Sequence, residues 1–335
     1  MDARAGSSEQ SGPAPSVEPL TFSLLAFRFE FLARGAIYFP PGKSGNIVRG
    51  AFGTIFRKIA CVPECPGPRA CELRATCPYA RIFEPAAAGR GPSGLADWPR
   101  PFVFRADHLD DRAVQAGERF HFDVHLFDCR NPALVYFVLA FAQLAREGLG
   151  PGRGRADLAS VYQLDRNRAP AERVFDGETF LLRGEPVPME LDLSPEPRPV
   201  TRAVVRFVTP TELKSGQQLA ERPEFPILFA RIRDRISTLR ALYGPDPLPI
   251  DFRALGERAA AIEMVRCDLR RAEAVRRSAR TGQTHPLGGF VGEAEYAGDL
   301  AEFLPYLRAA SWTGAGRQTV WGKGQVELCS HAAIR

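Results

Sequence analysis

The order in which hydrophobic periods follow one another constrains this chain more than any motif in it. From residue 20, TFSLLAFRFEFL alternates with the period of a strand, and SGNIVRGAFGTIFRKIA carries apolar residues at helical spacing, with Ser44 as the expected N-cap. PFVFRADH and GERFHFDVHLFD, within 101–128, alternate again; a helix is expected from Asn131 to Glu147, then a strand over 156–164. The second half repeats that order without repeating the residues: strand 201–208, helix 224–243, strands 261–269 and 286–296, helix 299–310 capped by Asp299, and a closing strand TVWGKGQVEL. Two β-α-β-β-α-β successions predict an α+β protein made of two tandem ferredoxin-like (RRM-like) domains, each with its helices on one face of an antiparallel sheet. The expected divisions are a tail over 1–18, an N-terminal domain over 19–183 with a Cys-rich insertion at 61–98, a proline-rich linker over 184–200, and a C-terminal domain over 201–335. Such a sheet leaves its second face open, and single-stranded RNA is bound on that face in domains of this architecture.

Composition agrees with two cores and decides little else. A chain of 335 residues with 45% hydrophobic content can bury both, and a net charge of +5 is too modest to name a polyanionic partner without clustering. The opening MDARAGSSEQSGPAPSVEP is polar and has no apolar stretch of signal-peptide length, while ALVYFVLAFAQLA stops well short of the ~20 residues that span a bilayer. A cytoplasmic protein without a membrane partner is the expectation.

Cys61, Cys65, Cys71 and Cys77 follow one another as C-x3-C-x5-C-x5-C in a loop broken by Pro63, Pro66, Gly67 and Pro68. A loop of that composition cannot hold itself by packing, and four thiolates on one ion would supply the missing folding energy. Structural zinc is the first expectation and an iron–sulfur cluster the alternative; buried free thiols are the plain reading.

Three further stretches carry candidate chemistry. The first helix presents Asn46, Arg49, Gly50, Gly53, Thr54, Arg57 and Lys58 opposite its apolar stripe, and its glycines suit either a ligand backbone or a packed neighbour. His121, Asp123 and His125 share one face of a strand, a triplet fit for a metal or a general base but found more often on a wet sheet face. RRAEAVRRSARTGQTH gathers Arg270, Arg271, Arg276, Arg277 and Arg280 in a loop between strands, and an anionic backbone would relieve its self-repulsion. Near the end, SWTGAGRQTVWGKGQ sets Gly314, Gly316, Gly322 and Gly324 among Arg317 and Lys323, with Trp312 and Trp321 available for base stacking.

Residues 288–328, GGFVGEAEYAGDLAEFLPYLRAASWTGAGRQTVWGKGQVEL, resemble the C-terminal signature of the CRISPR repeat-processing endoribonucleases of the RAMP superfamily: G-F-x-G-x-x-x-Y-x-G, a helix with F-L-P-x-L, and a glycine-rich loop before the last strand. VRGAFGTIFRKIA followed by cysteines and CPYARIFEP is similar to the opening helix of one branch of that family. The resemblance implies two ferredoxin-like domains, CRISPR repeat RNA as partner, other CRISPR effector subunits as further partners, and cleavage without a metal cofactor. In that chemistry a ribose 2′-OH attacks the adjacent phosphate and leaves a 2′,3′-cyclic phosphate, which calls for a base, cations for the phosphorane and a proton donor. The family commonly places a histidine near the first helix, helped by tyrosine or lysine. No histidine occurs between Met1 and Asp107. Tyr38 and Lys58 stand at the helping positions, Arg49 shares the polar helical face, and His285 beside the arginine cluster is the expected substitute. A guide-RNA-binding subunit that has lost cleavage is the alternative from another class.

Overall fold

The computed structural model describes residues 20–67, 70–85, 98–130, 133–273, 275–277 and 284–333. The expected tail and part of the cysteine-rich insertion lie outside them. The N-terminal half runs β1 (Thr21–Ala33), β2 (Ile37–Phe39), α1 (Ser44–Ala60), α2 (Pro78–Ile82), β3 (Phe102–Arg105), β4 (Arg112–Val114), β5 (Arg119–Leu126), α3 (Leu134–Glu147), β6 (Ala156–Leu164), β7 (Pro170–Asp176), β8 (Leu181–Leu182) and β9 (Met189–Asp192). Its main sheet has the order β3-β5-β1-β6-β7-β8, and β9 pairs with the start of β1. The C-terminal half runs β10 (Val200–Thr211), β11 (Lys214–Ser215), β12 (Gln218–Leu219), α4 (Phe225–Tyr243), α5 (Phe252–Ala259), β13 (Glu263–Ala272), β14 (Val275–Arg277), β15 (Thr284–Pro286), β16 (Gly289–Ala297), α6 (Leu304–Thr313) and β17 (Val326–Ala333). Its sheet is β13-β16-β10-β17. In each half the first long strand is central and antiparallel to both of its neighbours.

The alternation of β1 shows how the halves meet. Phe27, Phe29 and Phe31 point with Phe122 and Val124 into the core under α1 and α3, where Phe52 stacks on Phe137 with ring centroids 4.7 Å apart. On the opposite face Phe22, Leu24 and Ala26 join a second core with Ile232 and Ile236 of α4 and Leu307 and Trp312 of α6. The helices of the C-terminal half therefore lie against the N-terminal sheet, giving the layers α1/α3, sheet, α4/α6, sheet. The expectation of two open sheets is corrected by this packing. The C-terminal sheet keeps its outer face in solvent, and among the described residues that face is a lattice of ion pairs: Arg202 with Glu295, Arg206 with Glu293, Arg266 with Asp268.

Local departures from the sequence reading have local causes. Residues 184–200 are not a bare linker, because Met189–Asp192 forms β9 on the edge that β1 offers. Ser44 is the first residue of α1 rather than its cap; its N–H donates to the Asp110 carboxylate at 2.9 Å, which does a cap's work from another segment. α6 starts at Leu304, not Asp299, with Pro305 in the first turn, where a missing N–H costs nothing. The last strand begins at Val326, because left-handed Gln318, Gly322 and Gly324 interrupt any extended run from Thr319. The described part of the arginine-rich stretch is mostly paired backbone: Arg270 and Arg271 belong to β13, and β14 pairs with β15. α5 was not expected from periodicity; Asp251 caps it by accepting from the N–H groups of Arg253 and Ala254. Among the described residues no helix is long and apolar enough to cross a membrane.

Candidate nucleic-acid interface

The glycine-rich segment closes on the start of α1. Gly314, Gly316, Gly322 and Gly324 all have positive φ, from 67° to 77°. At Gly324 an added Cβ would stand 2.1 Å from the Ala315 carbonyl, so the loop crosses its own backbone there. At Gly322 the same atom would lie 3.2 Å from Cα of Gly45, so loop and helix touch glycine to glycine. These glycines are first of all a means of docking the loop onto itself and onto α1. Gly53 is likewise taken by a neighbour, since Phe83 fills the space a side chain would need, whereas Gly50 faces open space.

The tryptophans are not free platforms. Trp312 is buried between the halves, its ring 5.0 Å from that of His125 and 5.1 Å from the Arg168 guanidinium. Trp321 lies under the Arg49 guanidinium at 3.4 Å, and Phe83 approaches the same cation at 4.6 Å. Stacking on bases, as expected from sequence, would require both indoles to leave these partners. Arg49 is itself buried in this sandwich.

Cations meet at one cleft of about 590 Å³ where the halves join. Gly42 from the turn before α1, Lys323 from the loop, and Arg206, Arg270, Glu273 and Glu293 from the C-terminal sheet line it. Lys323 donates to the Gly42 carbonyl at 3.1 Å, and burial lowers its pKa despite Asp110 and Asp107 nearby. Arg206 is committed to Glu293. Arg317 is held by Glu212 at 2.7 Å, so its charge is locally balanced. Arg270 and Arg271 are exposed on β13. Arg276, Arg277 and His285 have described backbone in β14 and β15 but their side chains are outside the described residues, as is Arg280 altogether.

The residues expected to act together on a phosphate are not brought together. Lys58 sits at the far end of α1, about 21 Å along the axis from Ser44 at 1.5 Å per residue, paired with Glu147 at 3.7 Å. Tyr38 lies at the near end, where its hydroxyl donates to Asp111 at 3.0 Å; that bond raises its pKa and disfavours the phenolate. The His121–Asp123–His125 triplet is divided among three tasks. Asp123 takes a two-point bond from Arg28, at 2.8 and 2.9 Å, and His125 is buried with its Nδ1 2.9 Å from the Trp312 carbonyl. His121 stacks on His108 with centroids 4.5 Å apart, and burial with His108 and Arg28 alongside lowers its pKa to about 4.

A residue absent from the sequence-based set stands here. His108, exposed on the 3-10 turn Asp107–Leu109, precedes Asp110, which holds the first N–H of α1, and Asp111, which holds Tyr38. It follows directly on the histidine-free stretch, but only folding carries that turn to the start of α1. No sequence spacing signals it.

At the interface of the halves, four side chains converge on the C-terminal end of α6. Arg105 and His125 meet the Trp312 carbonyl, Arg168 meets that of Ser311, and Arg235 meets that of Thr313. Cations at a helix C-terminus are favoured by its dipole, and burial nonetheless lowers Arg105 to about 9 and Arg235 to about 10.

The four insertion cysteines adjoin pairwise. Cys61 lies within side-chain hydrogen-bonding reach of Cys65 and Cys77, and Cys65 of Cys71. Burial and these neighbours push Cys61 to about 12. Among the described residues no group of three or more His, Cys, Asp and Glu side chains is placed to hold a metal ion.

Residues 205–326 match the family model of the CRISPR-associated endoribonuclease Cas6, and residues 21–187 match a family model described as an N-terminal domain. An uncharacterized protein of Archaeoglobus fulgidus is 24% identical over 315 residues, covering 91% of this chain and 98% of its own length. The product complex of a Thermus thermophilus Cas6 is similar in fold, with a TM-score of 0.53 at 20% identity, covering 91% of this chain and 98% of that one. A partial Cas6-RT-Cas1–Cas2 complex gives a TM-score of 0.52 at 12% identity, covering 94% of this chain and 47% of that one.

Proposed function

We propose, for a chain whose residues 205–326 match the family model of the CRISPR-associated endoribonuclease Cas6, that it binds CRISPR repeat RNA and cleaves it through attack by a ribose 2′-OH. The cleft that joins Gly42, Lys323 and Arg270 is the observation that carries the placement of the RNA. It combines an exposed arginine, a partly desolvated ammonium and backbone at the start of a helix, which together suit a phosphodiester. The two halves are read as tandem ferredoxin-like domains on the strength of their matching sheet orders. The protein works in the cytoplasm, and RNA handed to other CRISPR subunits is the natural fate of its product.

Cleavage of this kind needs no cofactor. The cysteines are given a structural zinc ion, with an iron–sulfur cluster as the second choice. Pairwise adjacency of the thiols supports that reading, and uptake of an ion would have to draw Cys61, Cys65, Cys71 and Cys77 around one point. Metal content of the purified protein and its visible absorption test it; a metal-free, colourless, fully folded protein removes both.

Incubation with a transcript of its own repeat in EDTA tests the main reading. A product ending in a 2′,3′-cyclic phosphate is expected. Tight binding without any product favours the non-catalytic guide-RNA subunit instead. Arg270→Ala should lower the slope of log affinity against log salt by about 1, the share of one phosphate contact. An unchanged slope takes Arg270 off the RNA path.

A further inference from the structure

No histidine flanks the first helix in the sequence, yet the fold brings an imidazole near its N-terminus. We infer that His108 is the general base of the proposed cleavage, an inference that rests on the reading of the protein as an endoribonuclease.

Three observations converge on it. The turn Asp107–Leu109 is pinned to the start of α1, because Asp110 receives the Ser44 N–H at 2.9 Å and Asp111 receives the Tyr38 hydroxyl at 3.0 Å. Asp107 and Asp110, on either side of His108, lie within electrostatic reach of Lys323, which lines the cationic cleft. His108 is exposed, so a substrate can reach it.

To these the ring itself adds its own geometry. Nε2 of His108 lies 2.8 Å from the His121 backbone carbonyl, and the two imidazoles stack with an interplanar angle of 25°. A carbonyl oxygen only accepts, so Nε2 carries the hydrogen, and in the neutral ring the lone pair is on Nδ1. A base needs its tautomer fixed and its accepting nitrogen uncommitted, and this is how an orienting partner prepares a catalytic histidine. The other two histidines of the β5 face cannot serve: His125 is buried under Trp312, and His121 lies beneath the His108 ring. Around the pair stand Arg28 and Glu30 of β1, Asp123 of β5, Arg112 of β4, and Asp107, Asp110 and Asp111 of the turn itself.

The step balances without a cofactor. The 2′-OH gives its proton to Nδ1 of His108 while its oxygen bonds to phosphorus. The bond from phosphorus to the 5′-oxygen breaks, and the leaving oxygen takes a proton from water. His108 then releases its own proton to solvent.

Single-turnover cleavage of a repeat transcript, compared between the full-length protein and His108→Ala and His108→Gln, tests the assignment. A loss of about 10²- to 10⁴-fold in rate is expected for both variants, with RNA affinity within twofold and an unchanged circular dichroism spectrum. The pH dependence of the wild-type rate should flatten in both. If the wild-type protein cleaves and either variant keeps the rate and the pH profile, His108 is not the base, while the endoribonuclease reading stands. If the wild-type protein binds the transcript and never cleaves it, that reading falls and this one with it.

Discussion

The two sheets share the order of four core strands, β3-β5-β1-β6 in one and β13-β16-β10-β17 in the other, and differ in what covers them. On the N-terminal sheet the face away from α1 and α3 carries Phe22, Leu24, Ala26 and Val103, and α4 and α6 of the other half lie against it. On the C-terminal sheet the corresponding face carries Arg202, Arg206 and Arg266 in pairs with Glu293, Glu295 and Asp268, and it remains in water. The difference teaches where interaction energy is stored. Apolar area removed from water stabilises by roughly 25 cal/mol per Å², whereas exposed ion pairs contribute about 0–1 kcal/mol each. One face is therefore part of the fold, and the other is a surface whose charges can be exchanged for those of a ligand.

The largest test of that contrast is Trp312→Ala. Its indole is buried between His125 and Arg168, and truncation should cost about 3–5 kcal/mol, read as a lower denaturant midpoint. A loss below about 1 kcal/mol would mean that the halves are not held by this contact. Next comes acid sensitivity. His125 is kept neutral by burial and by the charges of Arg105 and Arg168, so its pKa in the native state lies well below the ordinary 6.5. Above that value both states are neutral and nothing is gained or lost. Below it the unfolded chain takes a proton that the native one refuses, and stability should fall by about 1.4 kcal/mol per pH unit until the native pKa is reached. Denaturant midpoints between pH 6.5 and pH 5 should decline more steeply for the wild type than for His125→Gln; equal slopes would break the idea that this end of the sheet is sealed. The smallest effect belongs to the open face. Arg206→Ala, which removes an exposed pair with Glu293, should leave the denaturant midpoint almost unchanged. A cost comparable with that of Trp312 would erase the distinction between the two faces.

The succession of elements was legible because period-two and period-3.6 patterns are local properties of the chain. β1 even announces the division of its own outer face: Phe22, Leu24 and Ala26 give way to Arg28 and Glu30, which marks where the covering helices end. That switch was not read as a boundary, since alternation alone does not say which element supplies the cover. The candidate site was less legible. The glycine-rich loop and the arginine-rich stretch are both legible as candidate contacts, and Lys323 of one and Arg270 of the other line one cleft, while the loop's tryptophans and Arg317 have partners within the protein. Arg49 and Lys58 share a helix face in sequence, but one is buried over the Trp321 ring and the other lies at the opposite end of α1.

By itself the sequence determined what each segment could become, because backbone propensity and side-chain alternation act over a few residues. Which faces meet was decided only in three dimensions. His121 and His125 are the same residue type on the same face of one strand, four positions apart; one lies beside an exposed turn and the other is sealed under α6. The separation arises because burial and charge depend on neighbours distant in the chain, and those neighbours are chosen by the packing of the whole molecule.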